Sequence, residues 1–190
     1  MITNREEAEL LASFIHIVRL MDMSKDKINT IDYQKMIIER INENPIVLQL
    51  QSEQGNKNIG MIACEYDLFF VVNRCLKDRK CVLQQDDGNK TIGHILASKK
   101  TTPVYDRNLE REEDIVDVLV KKILKDNIAS IIQDNDGNNI GMLMAKRKSK
   151  KAVKLARKNE YAMKQTNNNG ETIDDIARAN GLLPPKERTK

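Results

Sequence analysis

QQDDGNKTIGHILA, residues 84–97, is the stretch on which the reading of the chain turns. A polar run ends in Gly88, Thr91 follows, and Ile92, Ile95, Leu96 and Ala97 close the segment. Gly reaches positive φ without strain, so the polar run reads as a tight turn. Thr91 can accept a hydrogen bond from the free N–H groups of a first helical turn, and the apolar residues then make a short helix. The same succession recurs as QSEQGNKNIGMIAC (51–64), QDNDGNNIGMLMA (133–145) and TNNNGETIDDIARANG (166–181). Gly55 and Gly88 lie 33 residues apart, as do Gly137 and Gly170. Ile59, Ile92, Ile140 and Ile173 are spaced 33, 48 and 33. The other N-cap candidates are Asn58, Asn139 and Thr172, the last with Asp175 placed for a capping box.

Each turn-and-helix is followed by a second apolar stretch. Leu68, Phe69, Val71, Val72, Cys75 and Leu76 form one. Ile115, Val118, Leu119 and Ile123 form another, with Lys122 a polar exception on that face. The spacing of 48 is one repeat plus 15 residues, and the surplus falls at KKTTPVYDRNLER, residues 99–111, between the two helices of the second repeat. Residues 1–44 read as a capping helix pair. Glu6 to Met21 carries Leu10, Leu11, Phe14, Ile15, Val18 and Met21 at helical spacing. Ile31 to Asn42 carries Met36, Ile37, Ile38 and Ile41, and Pro45 ends it. Residues 184–190 read as a solvated, flexible basic tail.

These segments resemble ankyrin repeats, whose pattern is D-x-x-G-x-T-P-L-H-x-A. The nearest match is Asp87-Gly88-Asn89-Lys90-Thr91-Ile92-Gly93-His94, continuing to Ala97. Thr172 to Ala177, ending at Gly181, looks like a final repeat with Asp175 in place of the His. The pattern's Pro is Ile in all four copies, and its Leu is Gly at Gly60, Gly93 and Gly141. One extra residue separates Gly from the cap in the first two copies. The resemblance covers residues 45–183. It implies an all-α fold, a solenoid of stacked helix-turn-helix pairs with short turn tips and an N-terminal helical cap. It also implies a binding module without catalysis or cofactor.

Composition agrees with that expectation. The 190 residues are 40% hydrophobic, too apolar for a disordered chain, and only 4% aromatic, too few for a base-stacking platform. No apolar run is long enough to span a bilayer and MITNREEAEL has no signal core, so a cytoplasmic protein without membrane contact is expected. Charge is uneven. Residues 1–100 carry 14 basic and 14 acidic groups, residues 101–140 carry 5 and 9, and residues 141–190 carry 13 and 5. Cys64, Cys75 and Cys81 are odd in number and lack CxxC spacing, which suits a reducing compartment.

No catalytic, cofactor or metal site is expected. Gly55 and Gly60 have Walker-like spacing, but Met61 stands where a Lys is required. Asp134-Asn135-Asp136-Gly137 looks like a calcium loop, but its first and twelfth ligand positions fall on Ile132 and Leu143. Cys64, Cys75, Cys81 and His94 do not have knuckle spacing; Cys64 and Cys75 read as core, and Cys81 as lying near a turn. His94 is expected to satisfy turn hydrogen bonds. His16 is expected to be a partly exposed helix residue.

Partner binding is the expected function, with sequestration or inhibition of a protein target as its purpose. The basic run holds Lys146, Arg147, Lys148, Lys150, Lys151, Lys154, Arg157 and Lys158, eight positive groups in thirteen positions. It suits an acidic protein; nucleic acid is the alternative partner. The insertion offers Tyr105 and Arg107, residue types that anchor interfaces. The turn tips offer Asp86, Asp87, Asn89, Asn135, Asp136 and Asn168. A monomer is expected over an oligomer. A short stack of this kind suits a bacterial, phage or mobile-element protein, or an effector directed at a host.

Overall fold

The computed structural model describes residues 4–23, 30–99, 103–106 and 111–185. The chain is predominantly helical. It divides into two compact units, Met1–Ile92 and Gly93–Lys190. The first holds α1 (Asn4–Met23), α2 (Thr30–Glu43), a 3₁₀ turn (Pro45–Gln49), α3 (Ile59–Glu65), α4 (Phe69–Cys75) and α5 (Arg79–Leu83). Helix α6 (Ile92–Ser98) begins at the division. The second unit continues with β1 (Pro103–Asp106), β2 (Arg111–Asp114), α7 (Ile115–Ile123), a 3₁₀ turn (Ala129–Ile131), α8 (Ile140–Lys146), α9 (Lys150–Ala156), α10 (Glu160–Lys164) and α11 (Ile173–Ala179).

Helices α3, α4 and α5 have their counterparts in α8, α9 and α10, each starting 81 residues later. The repeat therefore has a third short helical segment that the two-helix reading lacks. Its caps explain it. Asp78 accepts from Cys81 N at 3.0 Å, Asp126 from Ile128 N at 2.8 Å, and Asn159 from Tyr161 N at 3.0 Å. A side-chain acceptor at that place starts one more helical turn. Cys81 accordingly lies buried within α5 rather than near a turn.

The insertion departs from an all-α chain. Strands β1 and β2 pair antiparallel, with Val104 opposite Glu113 and Tyr105 opposite Glu112. Arg107 and the tail residues 186–190 lie outside the described residues. Three predicted faces shift. Helix α1 buries Phe14, Ile17 and Leu20 and leaves Ile15 exposed. Helix α2 buries Ile37 and Ile41 and leaves Ile31 and Met36 exposed. Helix α7 buries Val116, Leu119, Val120 and Ile123, which puts Lys122 outside on the exposed side. Each run contained more apolar residues than one face can bury, so periodicity alone did not choose the phase. Pro45 ends α2 and also starts the 3₁₀ turn, where its missing N–H costs nothing.

The two departures from the ankyrin-like pattern are one coupled feature. A Cβ built on Gly60 would lie 2.4 Å from Ile92 Cδ1; on Gly93, 2.3 Å from Ile140 Cδ1; on Gly141, 2.6 Å from Ile173 Cδ1. Each Gly makes room for the next repeat's isoleucine, the residue that stands in the Pro position. Ile92, Ile140 and Ile173 are all fully buried by this means. The last copy has Asp174 where the Gly would be, and that side chain pairs with Arg157 and Arg178.

Helices α3, α8 and α11 end alike. Leu68 N donates to Ala63 O at 2.9 Å, Ser149 N to Met144 O at 3.0 Å, and Leu182 N to Ala177 O at 2.8 Å. These are the long bonds of Schellman caps, which place the preceding residue in the left-handed region. That residue is Asp67 (φ 58°), Lys148 (φ 64°) and Gly181 (φ 73°). Only the last carries no Cβ penalty. Lys148→Gly should therefore stabilise the second unit by about 1 kcal/mol, read as a raised urea midpoint with unchanged m-value.

Candidate functional site

The turns are built from their own side chains. Asp86 Oδ1 accepts from Gly88 N and Lys90 N, both at 2.8 Å. Asp134 Oδ1 accepts from Asp136 N at 3.0 Å and Asn138 N at 2.8 Å. Asn167 Oδ1 accepts from Asn169 N at 3.0 Å and Glu171 N at 2.9 Å. These are Asx turns, and they employ Asp86 in the scaffold. The left-handed residue of the second turn is Asn89 (φ 56°), not Gly88. Asn89 then stands two places before Thr91, as Gly137 and Gly170 stand two places before Asn139 and Thr172. The extra residue of the sequence alignment disappears in that register.

Neighbouring turns are joined within each unit. In the first, Asp87 N donates to Gly55 O at 3.2 Å and Asn56 Nδ2 to Asp87 Oδ1 at 2.5 Å. In the second, Asn168 N donates to Asp136 O at 3.0 Å and Asn168 Nδ2 to Asn135 O at 2.9 Å. Asn135 and Asp136 thus lend their backbones to the scaffold and keep exposed side chains.

Beneath the turns lie the caps. Asn58 Oδ1 accepts from Met61 N at 3.0 Å while its Nδ2 donates to Cys81 O at 2.8 Å and Gln84 Oε1 at 2.9 Å. Asn139 repeats this on Met142 N at 3.0 Å, Ala162 O at 3.1 Å and Gln165 Oε1 at 2.8 Å. Thr172 and Asp175 form the expected capping box. His94 is fully buried, and its Nε2 donates to Asn138 O at 3.1 Å. It ties α6 to the next turn, a structural task.

Cys64, Cys75 and Cys81 are buried and form no disulfide. The hydrogen bond with Cys81 and then burial push the Cys75 thiol well above its ordinary range. Cys75 therefore stays protonated, unsuited to a thiolate role. Among the described residues no three potential metal ligands converge. His16 is exposed on α1, beside a cavity of about 340 Å³ lined also by Ser13, Arg40 and Glu43. Among the described residues no helix is long and apolar enough to cross a membrane.

The basic run separates into two groups. Arg147 is turned inward, its side chain 8% exposed, with Nη2 paired to Asp114 Oδ2 and Nε 3.8 Å from Asp117 Oδ1. Ser149 Oγ donates to Asp117 Oδ2 at 2.5 Å. Part of the acidic excess in residues 101–140 is thus neutralised internally, and Arg147 leaves the set of candidate contact residues. Arg157 is half engaged, with Nε 2.9 Å from Asp174 Oδ1. Lys146 donates to Asn138 Oδ1 at 2.9 Å and still reaches solvent. Lys148, Lys150, Lys151, Lys154 and Lys158 are exposed along and around α9. The structure brings these lysines together. It places Tyr105 in β1, on a different element.

Sequence reasoning missed Ile128 and Tyr161, 47% and 75% exposed beside a second cavity. Their separation of 33 residues was the available signal. No family model matches the chain, and no curated protein is significantly similar to it.

Proposed function

We propose that this chain is an ankyrin-like repeat module that binds an acidic protein partner and sequesters it without catalysis. The observation that carries this is the recurrence of one scaffold. The Asn58 constellation recurs at Asn139, the Asx turn of Asp86 at Asp134 and Asn167, and the Schellman cap of Asp67 at Lys148 and Gly181, so each device occurs in both units. Such a scaffold stacks helix pairs into a rigid support and leaves turn tips and outer helix faces for recognition. The contact residues of this proposal are Lys146, Lys148, Lys150, Lys151, Lys154 and Lys158, with Asn135 and Asp136 at the tips. Exposed lysines steer an acidic surface over a distance of about 8–10 Å at physiological salt.

The test is charge reversal. Lys150→Glu, Lys154→Glu and Lys158→Glu together should reduce capture of the native partner from host lysate by about tenfold or more, since the contacts become repulsive. Undiminished capture would remove the basic face from the proposal. Nucleic acid is the competing partner class. Binding of DNA or RNA by the purified chain at physiological salt, weakening steeply as salt rises, would favour it instead.

A further inference from the structure

We infer that the second unit carries an anchor groove for an acidic peptide segment bearing a large apolar side chain. The inference rests on the acidic-partner proposal above and adds a location and a chemistry to it. The groove is a cavity of about 530 Å³ between the 3₁₀ turn Ala129–Ile131 and the start of α10. Its apolar walls are Ile128, Ile131 and Tyr161; Asn127, Lys158, Asn159 and Glu160 complete it. That volume lies within the range of sites that hold small ligands or side chains.

Three observations carry the inference. Large apolar side chains are displayed here in register. Ile128 and Tyr161 occupy equivalent repeat positions, each just after the residue following a capping side chain, and are 47% and 75% exposed. Exposed apolar surface rimmed by polar residues is the character of an interaction site. The walls are also fixed in advance. Asn159 Oδ1 caps Tyr161 N at 3.0 Å and Ala162 N at 3.2 Å, while its Nδ2 donates to Asn127 O at 3.1 Å and Ser130 Oγ at 2.6 Å. Gln165 Nε2 holds Ile131 O at 2.7 Å. Preset walls lower the ordering cost of binding.

Charge then selects the occupant. Lys125 and Lys158 stand at equivalent positions 33 residues apart, and Lys154 lies one helical turn before Lys158. All three are exposed. Glu160 is the acidic residue lining the cavity, and Asp126 Oδ1 is engaged with Ile128 N and Ala129 N. At the cavity itself Lys158 and Glu160 offset each other, and the positive surface is the exposed run Lys150, Lys151 and Lys154 on α9 that leads to Lys158 beside the apolar floor. An acidic segment with an apolar anchor fits both features. A nucleic-acid strand would leave Ile128 and Ile131 without an apolar partner.

The isotope-labelled 190-residue chain would be titrated with two twelve-residue peptides of equal acidic content. One carries a central Leu-Phe pair and the other Ser-Ser. The Leu-Phe peptide should bind about thirtyfold more tightly, the least effect of an anchor residue, and move the amides of Ile128, Ile131 and Tyr161. Tyr161→Ser, at a side chain exposed enough to leave the fold unchanged, should abolish the difference between the peptides and leave the Ser-Ser peptide unaffected. Equal binding of the two peptides would overturn the groove while leaving the acidic partner in place. Failure of both peptides, or a thymidine oligonucleotide moving the same amides more strongly than either, would overturn the groove as well.

Discussion

Gly141→Ala is expected to destabilise the second unit by about 3 kcal/mol, near the upper end of the cost of overpacking. The new methyl would meet Ile173 Cδ1 at 2.6 Å and Ala156 Cβ at 2.8 Å. The isoleucine tip can rotate, but Ala156 Cβ is fixed to its backbone. Relief therefore requires α9 to move. Gly93→Ala should cost less, because its closest neighbours are Ile140 Cδ1 at 2.3 Å and Cγ1 at 3.1 Å, both on a side chain. Trimming that side chain separates the cases. Ile140→Val removes the clashing Cδ1, so the Gly93→Ala and Ile140→Val pair should show a favourable coupling of about 1 kcal/mol in a double-mutant cycle. Ile173→Val should rescue Gly141→Ala less. Gly170→Ala is the control. A Cβ there meets nothing within 4 Å, and the cost is the left-handed φ of +76° alone, about 1 kcal/mol. Urea unfolding of these variants decides the matter. Equal costs at Gly93, Gly141 and Gly170 would show that interlocking with the following isoleucine plays no part.

The glycine–isoleucine interlock explains why the sequence was legible where it was. A 33-residue period survives in the residues that set backbone geometry: the caps Asn58, Asn139 and Thr172, and the isoleucines that follow them. Those features are local, so spacing reveals them. Gly60, Gly93 and Gly141 looked like losses from a pattern because their partners lie 32, 47 and 32 residues downstream. A substitution offset by a distant residue reads as decay until the two are seen in contact. The same holds for charge. Arg147 belongs to the basic run in sequence, and to Asp114 and Asp117 in space. Net charge per segment could not distinguish an internal ion pair from a free docking surface. Helix phase failed for a different reason. In α1 and α2, Ile15, Ile31 and Met36 extend the apolar stripe past what one packing face covers. Ile128 and Tyr161 escaped notice because one lies before a 3₁₀ turn and the other in a five-residue helix, too short for any periodicity to register.

Asn139→Ala is expected to cost about 3 kcal/mol, comparable to Gly141→Ala but by an independent route. The Asn139 side chain, fully buried, does two things. Its Oδ1 caps α8 through Met142 N at 3.0 Å, and loss of a cap costs about 1 kcal/mol. Its Nδ2 serves Ala162 O at 3.1 Å and Gln165 Oε1 at 2.8 Å. Removing that donor strands a buried carbonyl, at about 1–3 kcal/mol. Asn139→Asp separates the two contributions, since it keeps the cap acceptor and loses the donor. It places a carboxylate beside two oxygens, so it should be at least as harmful as Ala at neutral pH. Its cost should shrink as pH falls and the carboxyl gains a proton that it can donate. Asn58→Ala should reproduce the effect in the first unit, where Cys81 O and Gln84 Oε1 are the stranded acceptors. Thr172→Ala removes only a capping box at the end of the series and should cost about 1 kcal/mol. Denaturation midpoints rank the three. If Thr172→Ala proved as costly as Asn139→Ala, the bonds from Asn139 Nδ2 would contribute nothing. The third helical segment, α10, would then be held by its own cap at Asn159 rather than by the turn that precedes α8.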